Sequence, residues 1–209
     1  MKKSIYMPKL LLLCGCLWFS AVQAEPVAPE ELVKETTDKI LQALKDNTNN
    51  IDENRSAVFK LVDEIVLPHF DFARMSKLVL AKYWRTASTV QRESFVAEFR
   101  ALIVRTYATA LLDYTDEKVH FLSSLGDITK RRVTVRTEIK KPGSSMHIPI
   151  YYEMYLPKDS WKVYDVKVDN VSLVTTYRGA YKERIKREGL DKLIDSLKKK
   201  SEDSLKEEK

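Results

Sequence analysis

The sequence has little glycine, little histidine and only two cysteines, and each scarcity argues against a kind of chemistry. Of its 209 residues, five are glycine, three are histidine and two are cysteine. It contains neither a Gly-x-Ser-x-Gly nucleophile motif nor a glycine-rich phosphate loop. The three histidines, His69, His120 and His147, lack the spacing of metal ligands. The sequence therefore predicts no catalytic residues, no metal site and no cofactor.

One enzymatic alternative stays open, because carboxylates that act as a pair need not be close in sequence. His69 and Asp71 could place an orienting carboxylate beside an imidazole, and Asp165 is a further candidate acid. The commoner explanation of His69 and Asp71 is a helix boundary with a capping aspartate. Asp165 is better interpreted as a polar residue that fixes the edge of a strand or the turn into the next helix.

Both cysteines lie in an N-terminal segment that has the features of a secretory signal peptide. Three lysines precede an apolar stretch, residues 10–19, and a Val-Gln-Ala cleavage site ends at Ala24. The apolar stretch is too short to span a bilayer comfortably. We expect residues 1–24 to be removed on export to the periplasm of a Gram-negative bacterium. Two alternatives are a retained anchor helix and a lipid attached to Cys16.

Removal of this segment would leave a chain that is held together by its hydrophobic core alone. The remaining 185 residues contain no cysteine, 33 basic side chains and 30 acidic side chains. A net charge of +3 favours anionic partners weakly and does not indicate nucleic acid. The length suits one domain, which we expect at residues 25–197, followed by a charged flexible tail at residues 198–209.

Hydrophobic periodicity predicts helices in the first half of the chain and strands in the second. Helical patterns cover residues 29–44, 58–66, 71–79 and 88–114, and alternating patterns cover 119–125, 131–140, 147–156 and 161–169. Short turns between the strands indicate an antiparallel meander. Helical spacing returns from Val174. The sequence predicts an α+β fold, in which a curved antiparallel sheet of about four strands packs against several helices with an apolar cavity between them.

The last predicted strand carries apolar side chains at both alternating positions. Tyr164, Val166 and Val168 share one face, and Trp161 and Val163 share the other. A strand with one face in water needs only one apolar face. We interpret the second face as the border of a cavity that holds a ligand, with ordinary core and a protein interface as the alternatives.

Two stretches of the chain carry short motifs in a specific order and spacing. They are HFDFARMSKLVLAKYWRTASTVQRESFVAEFRALIVRTYATAL at residues 69–111 and WKVYDVKVDNVSLVTTYRGAYKERIKREGLDKLI at residues 161–194. The motifs are Asp71-Phe72 with Met75 and Ser76, Trp84 before Ala87-Ser88, Gln91-Arg92 with Phe95 and Phe99, Trp161, Tyr164-Asp165, Val171-Ser172-Leu173 and Tyr177-Arg178. Together they resemble the MlaC family, also described as toluene-tolerance proteins of the Ttg2 type. One departure is Ala81, where the resemblance leads us to expect a glycine.

The resemblance covers nearly the whole chain after the signal peptide, and it implies a function. Members of this family are periplasmic phospholipid-binding components of an ABC-type lipid transport system. The resemblance implies a soluble carrier that shuttles glycerophospholipid between outer and inner membrane and maintains outer-membrane lipid asymmetry. The implied partners are phospholipid, an outer-membrane lipoprotein–porin complex and an inner-membrane ABC transporter with its membrane-anchored lipid-binding subunit. We expect a monomer, and the alternative is a periplasmic adaptor with an apolar protein interface.

The pleat of the strands and the period of the helices predict which apolar side chains line the cavity. The predicted wall consists of Phe99, Leu102, Ile103, Val133, Val135, Ile139, Ile148, Ile150, Tyr152, Met154, Val163, Val171, Leu173 and Val174. An error of one residue in register would move each strand residue to the opposite face. Arg178 is the candidate for contact with a lipid headgroup or a partner, and a local salt bridge is the alternative.

Overall fold

The computed structural model describes residues 26–47, 55–108, 118–140, 143 and 147–207. Within these residues the chain forms seven α-helices and one five-stranded antiparallel sheet, which confirms the α+β prediction. The predicted signal peptide with Cys16, the part of the fourth predicted helix beyond Ala108, and the turn residues 141 and 142 lie outside the described residues.

The helices and strands follow the predicted order along the chain. The helices are α1 (Pro29–Asp46), α2 (Arg55–Leu61), α3 (Phe72–Leu80), α4 (Lys82–Thr86), α5 (Thr89–Ala108), α6 (Leu173–Glu188) and α7 (Leu190–Glu207). The strands are β1 (Lys118–Asp127), β2 (Arg132–Lys140), β3 (His147–Tyr155), β4 (Lys162–Val168) and β5 (Val171–Ser172), and they lie in this order in the sheet. A π-helical turn and a 3-10 turn link α2 to α3. Helix α7 includes residues 198–207 of the segment predicted to be a charged tail.

Local side-chain hydrogen bonds determine where three of the helices begin. The spacing Ser88-x-x-Gln91 predicts a capping box, and the structure confirms it: Ser88 Oγ accepts the backbone N–H of Gln91 at 3.1 Å, and Gln91 Oε1 accepts the backbone N–H of Ser88 at 2.9 Å. Asp71 accepts the backbone N–H of Arg74 at 2.8 Å, and Ser172 caps α6 in the same way. Each bond satisfies a donor that the first turn of the helix leaves free.

The helices enclose an aromatic core. Phe95 and Phe99 of α5 stack with ring centroids 5.6 Å apart. Tyr181 of α6 meets Phe95 edge-on at 6.0 Å, and Tyr177 meets Phe99 edge-on at 5.3 Å. Leu193 of α7 closes this core and is fully buried. The apolar stripe predicted on the fourth helix therefore packs mainly against other helices.

Strand β4 contains a β-bulge at Tyr164, which explains its unusual apolar pattern. Met154 of β3 pairs with Val163, but Tyr152 pairs with Val166, three positions further along β4. One extra residue in β4 shifts its side-chain alternation by one position. Trp161 and Val163, before the bulge, consequently lie on the same face as Val166 and Val168, after it. The prediction of two apolar faces is therefore wrong, because a single apolar face is interrupted by a bulge.

A two-residue fifth strand, which was not predicted, follows a tight turn at the end of β4. Asp169 and Asn170 both have positive φ angles, 49° and 64°. Two successive residues in this region are typical of a type I′ hairpin turn. Val171 pairs with Val168, and the next residues begin α6. Residues 171–174 therefore connect the sheet to the helix, and we call this segment the hinge.

Asp165, a buried residue of β4, holds this hinge in place. Its Oδ1 accepts the backbone N–H of Val174 at 3.0 Å, and its Oδ2 accepts the hydroxyl of Ser172 at 2.5 Å. The side chain thus holds the first turn of α6 against β4. The interpretation of Asp165 as a residue that fixes the turn into the next helix is confirmed.

Ala81 joins α3 to α4 in a backbone conformation that favours glycine. Its φ and ψ angles are 50° and −114°. We expect Ala81→Gly to raise the free energy of unfolding by about 1 kcal/mol. Relief of about 1–3 kcal/mol of strain outweighs the roughly 0.5–1 kcal/mol of additional chain entropy that glycine brings. Thermal unfolding should show a Tm higher by roughly 2–4 °C.

The same substitution at Ala97, an exposed position inside α5, serves as the control. It should lower stability by about 1 kcal/mol, because glycine is a poor helix former. If both variants lose stability to the same extent, the backbone at Ala81 does not carry the strain that we infer.

Candidate functional site

One face of the sheet is apolar from one end of its strands to the other. Antiparallel partners share a face, so the pairing register arranges its side chains in rows that cross the sheet. The first row is Val133, Met154 and Val163; the second is Val135, Tyr152 and Val166; the third is Phe121, Thr137, Ile150, Val168 and Val171; the fourth is Val119, Ile139 and Ile148.

The burial of this face decreases from the first row to the fourth. First-row side chains are at most 5% exposed, and they pack with Val33 of α1 and Trp161. In the third row Phe121 is 36% and Val171 57% exposed, and in the fourth row Ile148 is 41% exposed. Protein covers one half of the apolar face. The third and fourth rows form the other half, which we call the open half.

An apolar surface of this kind is a candidate binding site for an apolar ligand. Its side chains are neighbours across adjacent strands, so they form one continuous surface rather than scattered positions. Covering apolar surface is favourable by roughly 25 cal/mol per Å². Contiguous exposed apolar patches on folded domains commonly mark ligand or partner sites. The open half is therefore the candidate site for an apolar ligand on this fold.

Two hydroxyl groups lie within this apolar face and are paired with each other. Thr137 Oγ1 donates to the carbonyl oxygen of Ile150 at 3.1 Å, and the hydroxyl of Tyr152 forms a hydrogen bond with Thr137. Burial raises the pKa of Tyr152, so its phenol remains neutral. Since neither group is charged, the face can accept a hydrocarbon ligand beside them.

The predicted wall residues fall in three regions of the structure. Ile139, Ile148, Ile150 and Val171 lie on the open half, and Tyr152 borders it. Val133, Val135, Met154, Val163 and Leu173 belong to the buried sheet core, and Phe99, Leu102, Ile103 and Val174 belong to the helical core or pack against it. The structure therefore brings four of the fourteen predicted wall residues together on the open half. Their contact with a ligand stays a prediction.

The open half also contains Val119, Phe121 and Val168, which were not among the predicted wall residues. Val119 and Phe121 belong to β1, an edge strand of the sheet whose pairing partner the sequence does not specify. Val168 was placed on a face of β4 whose direction the bulge changes. The alternation of apolar residues within 119–125 could have indicated that Val119 and Phe121 share one face of the sheet.

A separate hollow of about 370 Å³ lies between α5 and α7. Leu102, one of the predicted wall residues, lines it together with Leu197, Arg105 and Ser201. Arg105 donates a hydrogen bond to the Ser201 hydroxyl across it. The residues that line this hollow all belong to the two helices, so it is distinct from the open half of the sheet.

Arg178 links two helices in the structure. Its Nε donates to the carbonyl oxygen of Leu78 at 2.8 Å, and this bond ties α6 to the last turn of α3. The acceptor is a carbonyl and not a carboxylate, so this bond is not the local salt bridge that was the alternative for Arg178. A contact of Arg178 with a headgroup or a partner stays a prediction.

The residues of the enzymatic alternative have structural contacts. Asp71 caps α3 and also accepts a hydrogen bond from the Tyr155 hydroxyl. Burial lowers the pKa of His69, and the positive charges of Lys162 and Lys39 lower it further. Asp165 holds the start of α6. Across the part of the chain that the structure describes, no group of three or more His, Cys, Asp or Glu side chains could hold a metal ion. No helix in that part is long and apolar enough to cross a bilayer.

Comparisons with known proteins show the family of the chain and agree with its fold. The profile of the MlaC protein family matches residues 34–199, so the chain belongs to the MlaC family. It is 26% identical over 174 residues to the intermembrane phospholipid transport system binding protein MlaC of Haemophilus influenzae, across 81% of this chain and 80% of that protein. It is 27% identical over 195 residues to the toluene tolerance protein ttg2D of Pseudomonas putida, across 92% and 89% of the two chains.

A solved structure shares the fold over most of the chain. It is the phospholipid-binding protein from Ralstonia solanacearum, determined in complex with a phospholipid. The TM-score is 0.77 at 26% sequence identity, and the match covers 86% of this chain and 98% of that chain.

Proposed function

We propose that this protein is a phospholipid-binding transport protein whose open half receives the acyl chains. The observation that carries the proposal is the decrease in burial along one apolar sheet face in a chain of the MlaC family. The phospholipid complex of the Ralstonia solanacearum protein, which has the same fold, supports the ligand class.

The free energy of acyl-chain transfer explains why such a carrier is needed. Each buried methylene contributes about 0.8 kcal/mol, so exposing a chain of about 15 methylenes to water costs roughly 12 kcal/mol. Unassisted passage of a phospholipid through water is therefore slow. A sheet face whose apolar side chains are already exposed can receive the chains without first breaking packed protein contacts.

The headgroup can stay hydrated at the mouth of the site while the chains are covered. Affinity then comes mainly from chain burial, which tolerates different headgroups. A carrier that only binds tightly would not deliver its lipid. The partners that load and unload it must therefore bind its lipid-loaded and lipid-free states with different affinities.

We further propose where this exchange takes place. After removal of residues 1–24 the protein works in the periplasm and carries glycerophospholipid between outer and inner membrane. Its partners are an outer-membrane lipoprotein–porin complex and an inner-membrane ABC transporter with a membrane-anchored lipid-binding subunit. This exchange would maintain outer-membrane lipid asymmetry. Support comes from the predicted signal peptide and from the name of the Haemophilus influenzae relative, an intermembrane phospholipid transport system binding protein.

Lipid analysis of the purified protein tests this proposal. We expect organic extraction of protein purified from bacterial periplasm, followed by mass spectrometry, to release phospholipid. Delipidated protein should take phospholipid up again from vesicles. Absence of phospholipid together with absence of uptake would overturn the proposal. A stable protein complex that forms equally well without lipid would instead favour the adaptor alternative.

A further inference from the structure

A group of arginine and tyrosine side chains lies on the face of the sheet opposite the open half. Arg132 of β2, Tyr155 of β3 and Lys162 of β4 face one another across three strands. Each is next in the chain to a first-row residue of the apolar face, so the strand pleat directs these three side chains to the other face. The Tyr164 ring meets the Tyr155 ring edge-on with centroids 5.8 Å apart, so it belongs to the same surface.

Arg74 of α3 lies over both tyrosine rings. Its guanidinium carbon is 3.9 Å from the centroid of the Tyr155 ring and 5.0 Å from that of the Tyr164 ring. Arg74 Nε is buried without a hydrogen-bond partner. Contacts between a cation and the face of a ring are favourable, so the two rings position this guanidinium. We call Arg74, Arg132, Tyr155 and Tyr164 the arginine–tyrosine cluster.

The acidic side chains around the cluster have other partners. Asp71 accepts two hydrogen bonds within the protein. Asp127, which faces Arg132 across β1 and β2, accepts a backbone N–H from the turn that follows it. Glu153 Oε1 lies 2.6 Å from Lys167 Nζ. Within the part of the chain that the structure describes, neither arginine of the cluster forms an ion pair, so its positive charge is available to a ligand.

We propose that the arginine–tyrosine cluster is a docking site for an acidic segment of a partner protein. A guanidinium held flat presents its N–H groups in a fixed fork that matches a carboxylate. Arg74 binds one carboxylate of the segment and Arg132 binds a second. Tyrosine and arginine are also enriched among the residues that contribute most to protein–protein binding. The cluster lies on the face opposite the lipid site, so this inference goes beyond the proposed function.

The chemistry of the cluster favours a protein over an anionic membrane surface. Membrane surfaces are typically bound by clusters of about four to eight flexible lysines or arginines. The cluster contains two arginines, and tyrosine rings position one of them. Lys162, the nearest lysine in the sheet register, donates from Nζ to the carbonyl oxygen of Pro68 at 2.6 Å. A protein segment presents carboxylates at a defined spacing, which two arginines in a defined arrangement can select.

Binding of a synthetic acidic peptide to the purified protein tests the proposal. The probe is a fluorescent peptide of alternating glutamate and serine, and the reference is its counterpart with glutamine in place of glutamate. We expect fluorescence anisotropy to show roughly tenfold tighter binding of the glutamate peptide, as charge-assisted hydrogen bonds to arginine would give. Arg74→Gln/Arg132→Gln should abolish this difference. Phospholipid uptake from vesicles should be unchanged in that variant, because the cluster lies on the other face.

Lys77→Gln/Arg85→Gln is the matched control. It removes two exposed positive charges from α3 and α4, outside the cluster, and should retain the preference for the glutamate peptide. Arg74→Lys keeps the charge but loses the planar fork, so it should bind nearly as weakly as Arg74→Gln. Should the Arg74 variants fail to fold, Arg132→Gln alone, at an exposed position, should still weaken binding roughly threefold.

Four results with these variants would overturn the proposal. They are equal binding of the two peptides by wild-type protein, an equal loss in the control and in the cluster variant, wild-type affinity in Arg74→Lys, and loss of phospholipid uptake in the cluster variant. The second result would indicate attraction by net charge alone. Failure of wild-type protein to take up any phospholipid would instead count against the proposed function and leave the peptide result to decide on the cluster.

Competition experiments separate the acidic segment from other occupants. Acetate at the same carboxylate concentration should leave most of the peptide bound, and so should phosphatidylglycerol vesicles. Full displacement by acetate would indicate a site for small anions. Displacement by phosphatidylglycerol vesicles but not by phosphatidylcholine vesicles would indicate a membrane surface. A dimer in sedimentation experiments that disappears in Arg74→Gln would indicate a second copy of this chain. Each of these three results would overturn the proposal.

Discussion

Asp165→Ala is expected to lower the free energy of unfolding by about 3 kcal/mol and the Tm by roughly 6–12 °C. Asp165 is only 8% exposed, and its carboxylate accepts hydrogen bonds from the buried N–H of Val174 and from Ser172. Its removal leaves the buried N–H without an acceptor and releases the first turn of α6 from the sheet. Thermal and urea unfolding followed by circular dichroism measure the change.

Asp159→Ala is the matched control for this variant. Asp159 is exposed in the turn before β4, so its loss should change the free energy of unfolding by less than about 0.5 kcal/mol. Asp165→Asn, which keeps an acceptor oxygen for Val174, should lie between the two. A Tm for Asp165→Ala equal to that of Asp159→Ala would contradict the assigned role.

Ile150→Trp is expected to reduce phospholipid uptake roughly tenfold while the protein remains folded. Ile150 lies in the middle of the third row and is partly exposed. A larger ring there extends into the space that the acyl chains would occupy. Displacing about two methylenes from the face removes about 1.6 kcal/mol of binding free energy, which corresponds to roughly a tenfold loss. Uptake of fluorescent phospholipid from vesicles measures the effect.

Tyr151→Trp provides the control, because Tyr151 is the neighbouring residue on the opposite face of the same strand. It introduces the same side chain without entering the open half, so uptake should equal that of wild type. Val171→Trp, at the exposed end of the third row, should behave like Ile150→Trp. Unchanged uptake in both Ile150→Trp and Val171→Trp would show that the acyl chains bind elsewhere.

The features that could be predicted from the sequence depend on residues close together in the chain. The capping box needs only Ser88 and Gln91, and the alternation of β2 is visible within nine residues. The role of Asp165 was also accessible, because its partners Ser172 and Val174 follow within nine positions. Local hydrogen bonds and side-chain periods are properties of short segments, so these predictions are confirmed.

The features that could not be predicted depend on pairing and coverage between distant segments. The bulge at Tyr164 becomes visible only when β4 is aligned with β3, because its sequence pattern resembles a strand with two apolar faces. The burial of Val133 depends on Val33 of α1, which lies 100 positions earlier in the chain. Strand alternation predicts which side chains share a face, but it does not specify how much of that face another element covers.

The most direct test of the central claim is to locate the acyl chains relative to the isoleucine methyl groups. Protein with isotope-labelled isoleucine methyls, loaded with unlabelled phospholipid, should show intermolecular nuclear Overhauser effects from acyl-chain protons to Ile139, Ile148 and Ile150. Ile185 and Ile194, buried in the helical core, should show none. Contacts confined to the helical isoleucines, with none to the three on the sheet, would contradict the assignment of the open half as the lipid site.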